Sequence, residues 1–411
     1  MNSVPRTHSP GRDIALLLAG CLSAAACSAE AAHVAGWTGE RTTRGDTVVI
    51  LSHTPASPAP ASGELRISTP SVVWASDLLV RPTQIEQGPD SLLFVVDGFR
   101  IFVLGRGGTL VGTLGRRGDG PGEFRRIHGV RFLPPDTLLA WDGNTRRLSW
   151  LALDGRLLKS VTLAAPAGYS AARSGRLALW HDSILLPWAP GMVRAGDTPD
   201  SLVVAAIPIS GDTGKRLLTM PEIQWAHFAG VMAPAAAYAP FGRYALGPAN
   251  AVAATDGIEA CVNLYRPAEP PLQMCRNWTR PSVGPEERTA EPLHRVEPSD
   301  QQRKFLTSIV EGQAYPELRN SIRDLMFDTA GNLWARMVDS GATVHPMLAG
   351  QFPELRPPLY RWTVFASDGR WMHDVLMPSG FRPLLIEADA LWGLVEDENG
   401  VPAIARIARA P

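Results

Sequence analysis

The sequence predicts an all-β fold, a six-bladed β-propeller of four-stranded antiparallel blades. Turn residues are dense, with 38 glycines and 36 prolines in 411 residues, and long helical patterns are few. β-like runs also recur at a fixed interval: the triplets DSL, DTL and DSI begin at Asp90, Asp136 and Asp182, 46 residues apart both times. Propeller blades of four strands have about this length.

The apolar runs and the turns between them predict the bounds of each blade. Asp-Gly pairs at Asp154 and Asp368 supply the positive φ that tight hairpin turns need. The last blade shows three strands before the chain ends, and residues 63–74 (GELRISTPSVVW) are predicted to add the fourth. This N- and C-terminal strand closure would leave the ring without free edges. The predicted blades span residues 81–114, 126–164, 170–220, 243–280, 320–378 and 382–409.

A helical insertion is predicted at about residues 281–318, between blades 4 and 5. Ser299 is a suitable N-cap, and apolar residues follow it at helical spacing. These residues are Phe305, Leu306, Ile309 and Val310. The insertion is either a cap packed on one face of the ring or a lid over the mouth of the central channel.

The stretch LGRRGDGPGEF, from Leu114 to Phe124, is predicted to cross from the first blade to the second. It lacks the Lys-Ser/Thr pair of a Walker phosphate loop, and its glycines do not follow a strand and open a helix. The RGD triplet at Arg117 matches an adhesion ligand, but an Arg- and Gly-rich loop also produces it by chance. Glycines permit the sharp path of a crossing, and Phe124 is expected to pack between the two blades.

The N-terminus predicts export. Residues 1–20 read as a signal peptide, because an apolar stretch too short to span a bilayer ends in LAGC. This pattern resembles a bacterial lipoprotein signal, which implies cleavage before Cys21 and lipidation of its thiol. Leu22 is not the aspartate of inner-membrane retention, so the outer membrane is favoured. The alternative is an ordinary secretory signal cut near Ala31.

Residues 21–63 are rich in Ala, Thr, Ser, Gly and Pro and are predicted to be a flexible tether before the propeller of residues 64–411. Within the tether, Asp46–Leu51 could be a docked strand. Cys261 and Cys275 lie on two predicted strands joined by a Pro-rich turn, which places them nearly opposite each other. An exported compartment permits a disulfide there, and two separate apolar thiols are the alternative.

Four stretches carry a family resemblance: GRRGDGPGEF, DTLLAWD, FDTAGNLWAR and RWTVFASDGRWMHDVLMP. They are similar to the NHL-type repeat, and the chain resembles the bacterial exported lipoproteins described as "6-bladed beta-propeller". The resemblance covers about residue 64 to the end and implies the fold and export. It implies little about activity, because propellers include lyases, hydrolases, lactonases and pure binding modules.

Polar residues at blade entries are the candidate binding site. Inner strands converge on the central channel, so these side chains are predicted to lie at its mouth and bind an anion, a metal or a substrate. Ordinary channel lining in contact with water is the alternative. The candidates are His128, Arg126, Arg81, Arg323 and Asp324.

No metal or catalytic motif stands out: there is no HExxH, no Cys/His pair at zinc spacing and no GxSxG elbow. The sequence therefore requires no cofactor, and calcium or zinc in the channel stays an open alternative. A net charge of -1 offers no basic field for nucleic acid.

Three functions follow as hypotheses. The favoured one is a non-catalytic, monomeric, lipid-anchored module that binds a peptide, a glycan or an envelope protein. The second is a metal-dependent lyase or hydrolase with its site at the central channel. The third is a purely structural envelope protein.

Overall fold

The computed structural model confirms the predicted fold class. It describes residues 37–56, 64–165, 169–171, 177–180, 182–189, 193–194, 201–212, 214–221, 224–228, 230–238, 241–339 and 344–409. These residues form six blades of antiparallel strands, and the first strand of blade 1 contacts those of blades 2 and 6, as the first strands of blades 4 and 5 contact each other. The fold is a six-bladed β-propeller.

Blades 1 to 3 occupy the predicted segments, and the 46-residue interval marks the start of the second strand in each. Blade 1 contains Pro82–Gln87, Leu93–Asp97, Arg100–Leu104 and Leu110–Leu114. Blade 2 contains Gly129–Leu133, Thr137–Asp142, Arg147–Ala152 and Leu157–Thr162. In blade 3, Ser170–Ala171 and Ala178–Trp180 both pair with Ser183–Ala189, and Ser201–Pro208 and Lys215–Pro221 follow.

Blades 4 to 6 also lie within their predicted bounds. Blade 4 contains Arg243–Leu246, Val252–Thr255, Cys261–Tyr265 and Leu272–Arg276. Blade 5 contains Ile322–Phe327, Leu333–Met337, Leu359–Phe365 and Trp371–Pro378. Blade 6 contains Arg382–Ile386, Ala390–Glu396 and Pro402–Ala408.

The N-terminal part of the chain runs along the outer edges of blades 4, 5 and 6 in turn. A hairpin of Thr38–Arg44 and Thr47–Thr54 pairs with blade 4 through Leu272–Arg276. Glu64–Arg66 pairs in parallel with Trp371–Pro378 of blade 5. Ser71–Ala75 then pairs antiparallel with Pro402–Ala408 and completes blade 6. We call these four strands the N-terminal strap.

The strap confirms the ring closure and corrects the predicted tether. Residues 71–75 supply the fourth strand of blade 6 as expected, whereas residues 64–66 join blade 5 instead. Residues 38–54, predicted as flexible, form a hairpin whose second strand pairs with blade 4 and buries the apolar residues Val49 and Ile50. The predicted docked strand at 46–51 lies in it. Residues 1–36, with the predicted signal and Cys21, lie outside the described residues.

The hydrophobic core is divided among the blade interfaces. In the described part of the chain, each of the six interfaces has its own cluster of buried apolar side chains. Between blades 2 and 3, for example, the rings of Trp141 and Trp188 meet edge to face with centroids 6.1 Å apart. Each blade thus buries both faces against neighbours, which keeps the inner strands in a fixed ring around the channel.

The crossing from blade 1 to blade 2 is held from both sides. Phe124 is fully buried in the cluster shared by the two blades, as predicted. Gly115 has a φ of +80°, and a Cβ there would lie 2.8 Å from the carbonyl oxygen of Phe99. Arg147 donates to the carbonyl oxygens of Asp119 and Gly120 at 2.6 and 2.5 Å. The RGD stretch is therefore part of the framework of the ring.

A disulfide joins the third and fourth strands of blade 4. Cys261 and Cys275 are directly opposed in the strand register, and their Cα atoms lie 4.1 Å apart. The bond lies beside the pairing of Leu272–Arg276 with the strap hairpin.

The remaining short elements include paired strands at Arg116–Arg117 and Glu123–Phe124, a small sheet of Val193–Arg194, Gln224–Phe228 and Val231–Pro234, and 3-10 turns at Pro89–Ser91 and Pro248–Asn250.

Candidate functional site

Two insertions form a cap over one face of the ring. The first, at residues 281–318, contains 3-10 turns at Pro285–Arg288 and Glu291–Arg295 and the helix α1, Asp300–Gly312. The second, at residues 344–358, contains the helix α2, Pro346–Gln351, and a 3-10 turn at Pro353–Leu355. The first was predicted, and the second was not. We refer to the two insertions together as the cap.

The two parts of the cap share a small core of their own. Its buried side chains come from both insertions, so the cap is one packed unit. They are Leu293, Leu306, Val310, Val344, Leu348 and Leu355. Ser299 caps α1 by accepting a hydrogen bond from the backbone of Gln302 at 3.2 Å, as the sequence predicted.

A buried carboxylate holds the cap to the ring. Glu287 is 1% exposed and accepts two hydrogen bonds from the guanidinium of Arg319, which is 5% exposed. It also accepts from the hydroxyl of Tyr238 and from the backbone of Gly284. Burial raises the pKa of Tyr238, and the hydrogen bond to Glu287 raises it further. The hydroxyl therefore keeps its proton and stays a donor.

His345 links the second insertion to the first. Its Nδ1 accepts from the backbone N–H of Met347 at 3.1 Å, which caps α2, so the ring proton lies on Nε2. Nε2 donates to the side-chain oxygen of Gln313 at 2.8 Å. Burial and the nearby Arg323 lower the pKa of His345 to about 4, which keeps the imidazole neutral in this role at neutral pH.

A cavity of about 1020 Å³ lies between the second insertion of the cap and the mouth of the central channel. We call it the mouth cavity. Its floor is made by the starts of inner strands, and its walls by the second insertion and by the later strands of blades 5 and 6. The floor comes from residues 80–84, 242–246, 323–327 and 379–384. The cavity is thus built from strands of four blades together with the second insertion.

Positive charge is concentrated in the mouth cavity. Among the described residues, seven arginines and three carboxylates line it, a surplus of four positive charges in a chain whose net charge is -1. The arginines are Arg81, Arg243, Arg323, Arg336, Arg356, Arg361 and Arg382. The carboxylates are Asp324, Asp339 and Glu396. A low-dielectric cleft lined by one sign of charge attracts ligands of the opposite sign.

Two of these arginines are bound by carboxylates. Arg336 contacts Asp324 at 2.5 Å. Arg361 contacts Asp339 at 3.1 Å and Asp374, outside the cavity, at 2.9 Å. Two of the three cavity carboxylates are thus already engaged.

Arg323 and Arg382 differ from that pair. Among the described residues neither has a carboxylate within ion-pair distance; Arg382 donates to the carbonyl oxygen of Pro82 at 2.7 Å. Burial lowers the pKa of both guanidinium groups, with Arg336 adding repulsion at Arg323.

β-bulges aim residues into the mouth cavity from three inner strands. In blade 5, Ile322 pairs with Met337 and Asp324 with Arg336, which leaves Arg323 as the extra residue. Blades 1 and 6 shift register in the same way at Thr83 and Leu384. All three bulge residues line the cavity. Bulges often re-aim a side chain beside a functional site, and here they do so around one mouth.

The structure separates the five predicted site residues. Arg81, Arg323 and Asp324 line the mouth cavity. Arg126 lines a smaller cavity of about 240 Å³ that shares Arg81 and Thr83 with it. This places four of the five around one region of the ring face.

His128 lines neither cavity. It is buried, and its Nδ1 accepts from the backbone of Gly143 at 2.9 Å. Burial lowers its pKa. His128 thus contributes to the packing of blade 2, where it supports the turn that contains Gly143.

Sequence reasoning missed several cavity residues. Arg243 and Arg382 stand at the first positions of inner strands, in GRYAL and FRPLL, so the blade-entry pattern contained a signal for them. Arg336 and Arg361 lie on the second and third strands of blade 5, and no feature of their sequence context distinguishes them from surface arginines. Tyr238 precedes blade 4, lines the cavity and donates its hydroxyl hydrogen bond to Glu287.

The described residues offer no metal site: no group of three or more His, Cys, Asp or Glu side chains lies close enough to hold an ion. The cavity donors are guanidinium groups, which repel cations and bind oxyanions. In the same part of the chain, no helix is long and apolar enough to cross a membrane.

The ring and its capped mouth thus define a β-propeller with a preformed cavity. No family model and no curated protein matches the chain. A solved member of the DUF4221 family from Bacteroides vulgatus is similar, with a TM-score of 0.52 at 10% identity over 84% of this chain and 97% of its own. A protein described as exported, from Bacteroides fragilis, has a TM-score of 0.48 at 11% identity over 85% and 99%. At these identities the first likeness shows the fold alone.

Proposed function

We propose that this protein is an extracytoplasmic binding module that takes a peptide or a glycan into the mouth cavity. The observation that carries the proposal is the cavity itself, about 1020 Å³ between the ring and the second insertion. This volume lies at the upper end of the range for ligand sites in proteins, roughly 300–1,000 Å³. Apolar side chains such as Leu359 and Phe381 alternate there with polar groups, the composition that such sites have.

Filling the mouth cavity is expected to abolish binding. Gly350 and Gly380 both line it, and a Cβ at either position would meet nothing within 4 Å. Gly350→Trp and Gly380→Trp therefore occupy the cavity without a clash at the backbone. Peptide and glycan arrays probed with the wild-type protein should retain ligands that both variants lose.

Gly107→Trp is the matched control, because Gly107 also has open space around it and lies in an exposed turn of blade 1. It should bind like the wild type. The proposal fails if the arrays retain nothing on the wild-type protein, or if the cavity-filling variants bind as well as the control.

We further propose that a lipid on Cys21 anchors the protein to the cell envelope, with the outer membrane favoured. The lipoprotein pattern LAGC at residues 18–21 supports this. Labelling with palmitate should mark the membrane fraction of the wild-type protein and leave Cys21→Ala unlabelled. A labelled Cys21→Ala variant would place the lipid elsewhere.

A further inference from the structure

We infer that the ligand of the mouth cavity is an organic anion and that Arg323 binds its acidic group. The inference rests on the proposed function, since it names the chemistry of the ligand for the same site. It commits to an oxyanion, a carboxylate or a phosphate ester, attached to an apolar body.

The position of Arg323 is the first argument. As the extra residue of the bulge in the first strand of blade 5, its side chain leaves the pairing of the sheet and lines the mouth cavity. It is half-buried beneath the cap. An arginine on a rigid inner strand is held more firmly than one on a loop, which suits a group that must orient a ligand.

The lack of a counter-ion is the second argument. Asp324, the next residue, is bound to Arg336, and among the described residues no carboxylate lies within ion-pair distance of the Arg323 guanidinium. Arg336, on the neighbouring strand, adds repulsion between like charges at this guanidinium. A partly buried cation without a partner is costly to the fold. Binding an anion would offset that cost.

A second polar group points to the same ligand. Thr83, the bulge residue of blade 1, lines the mouth cavity, and its hydroxyl is buried in the wall with no hydrogen-bond partner among the described residues. Buried hydroxyls in folded proteins nearly always have a partner. The wall of the mouth cavity therefore contains an unpartnered hydroxyl as well as the Arg323 guanidinium.

The choice of arginine favours an oxyanion over other acceptors. A guanidinium presents its N–H groups as a planar fork that matches carboxylate and phosphate bidentately. The rest of the cavity supplies apolar surface, for example Leu325, Leu359 and Phe381. A ligand with an acidic group and an apolar or aromatic body fits both features.

Matched probes test the inference. Calorimetry at low salt measures the binding of three probes to the wild-type protein. They are the acidic tripeptide acetyl-Glu-Phe-Glu-amide, the neutral tripeptide acetyl-Gln-Phe-Gln-amide and phenyl phosphate. The acidic tripeptide or phenyl phosphate should bind, and whichever binds more tightly identifies the source of the oxyanion. The glutamine peptide should bind at least about tenfold more weakly than the acidic one. Equal binding of the two peptides, or no binding of either anion, overturns the inference.

Variants locate the binding to Arg323. Arg323→Met should weaken anion binding at least about tenfold, and Arg323→Lys should restore part of it, because it keeps the charge and loses the fork. Arg44→Gln removes the same charge from the exposed hairpin of the strap and should change nothing. Thermal unfolding of Arg323→Met should begin no earlier than that of the wild type, since no ion pair is lost. An unchanged affinity in Arg323→Met overturns the assignment.

The result also separates this inference from the proposed function. If Gly350→Trp abolishes ligand binding while Arg323→Met leaves it intact, the cavity binds its ligand but the anion assignment is wrong. If neither variant affects binding, the mouth cavity is not the site and both proposals fail.

Discussion

Replacing Glu287 with glutamine is expected to lower the free energy of unfolding by about 3–5 kcal/mol. The change leaves the Arg319 guanidinium, 5% exposed, without its counter-ion. It also weakens the acceptor that Tyr238 and the backbone of Gly284 share. Because these groups join the cap to the ring, the loss should appear first in the cap. Urea denaturation measures the total, and hydrogen exchange should show faster exchange at Pro285–Arg288 and in α1 than in the blades.

Two further variants make this prediction specific. Glu286→Gln, at the exposed neighbouring position, should unfold like the wild type, within about 0.5 kcal/mol. The double variant Glu287→Met, Arg319→Met should recover much of the lost stability, because an apolar pair of similar volume carries no uncompensated charge. If Glu287→Gln is as stable as Glu286→Gln, the buried cluster does not hold the cap.

Truncating Phe124 to alanine is expected to cost about 3–5 kcal/mol. The ring is fully buried between blades 1 and 2, and neighbours such as Val96, Leu114 and Leu138 belong to the same cluster. They are held by strands of two different blades, so the site has little freedom to collapse into the space left behind. The midpoint of urea denaturation should fall accordingly.

Leu110→Ala is the control for this prediction. Leu110 lies on the outer strand of blade 1 and is 41% exposed. Its truncation should change stability by no more than about 0.5 kcal/mol. A Phe124→Ala variant as stable as this control would show that the crossing does not contribute to the blade interface.

The sequence pattern predicted the ring because propeller blades are local. Each blade is built from successive strands, so the triplets at Asp90, Asp136 and Asp182 and the Asp-Gly turns report its length directly. The strap hairpin at 38–54 pairs with residues more than two hundred positions away, and local composition contains no record of that pairing. Helix α2 is six residues long and is capped by His345, a residue outside the usual N-cap set.

The candidate site was predictable only where it depends on blade entry. Arg81, Arg323 and Asp324 follow from their position before or within inner strands. The sequence does not predict that Arg323 lines the cavity while His128 does not. Side chains alternate along a strand, and the bulge that turns Arg323 toward the mouth arises from the pairing register of the folded strands. Arg336 and Arg361 reach the mouth cavity from the second and third strands of blade 5, and only the assembled ring brings them there.

The strap also sets the order in which the molecule can be assembled. Its strands, at residues 38–75, are synthesised before the blades, yet their partners are the outer strands of the last three blades. Ser71 meets Arg406 across a separation of 335 residues. Contacts of such long range are slow to form, and the final one must wait until Pro402–Ala408 has been synthesised. Ser71–Ala75 is therefore synthesised before the blades but is the last strand of the strap to find its partner, and a chain truncated near its end would expose two unpaired strand edges at once.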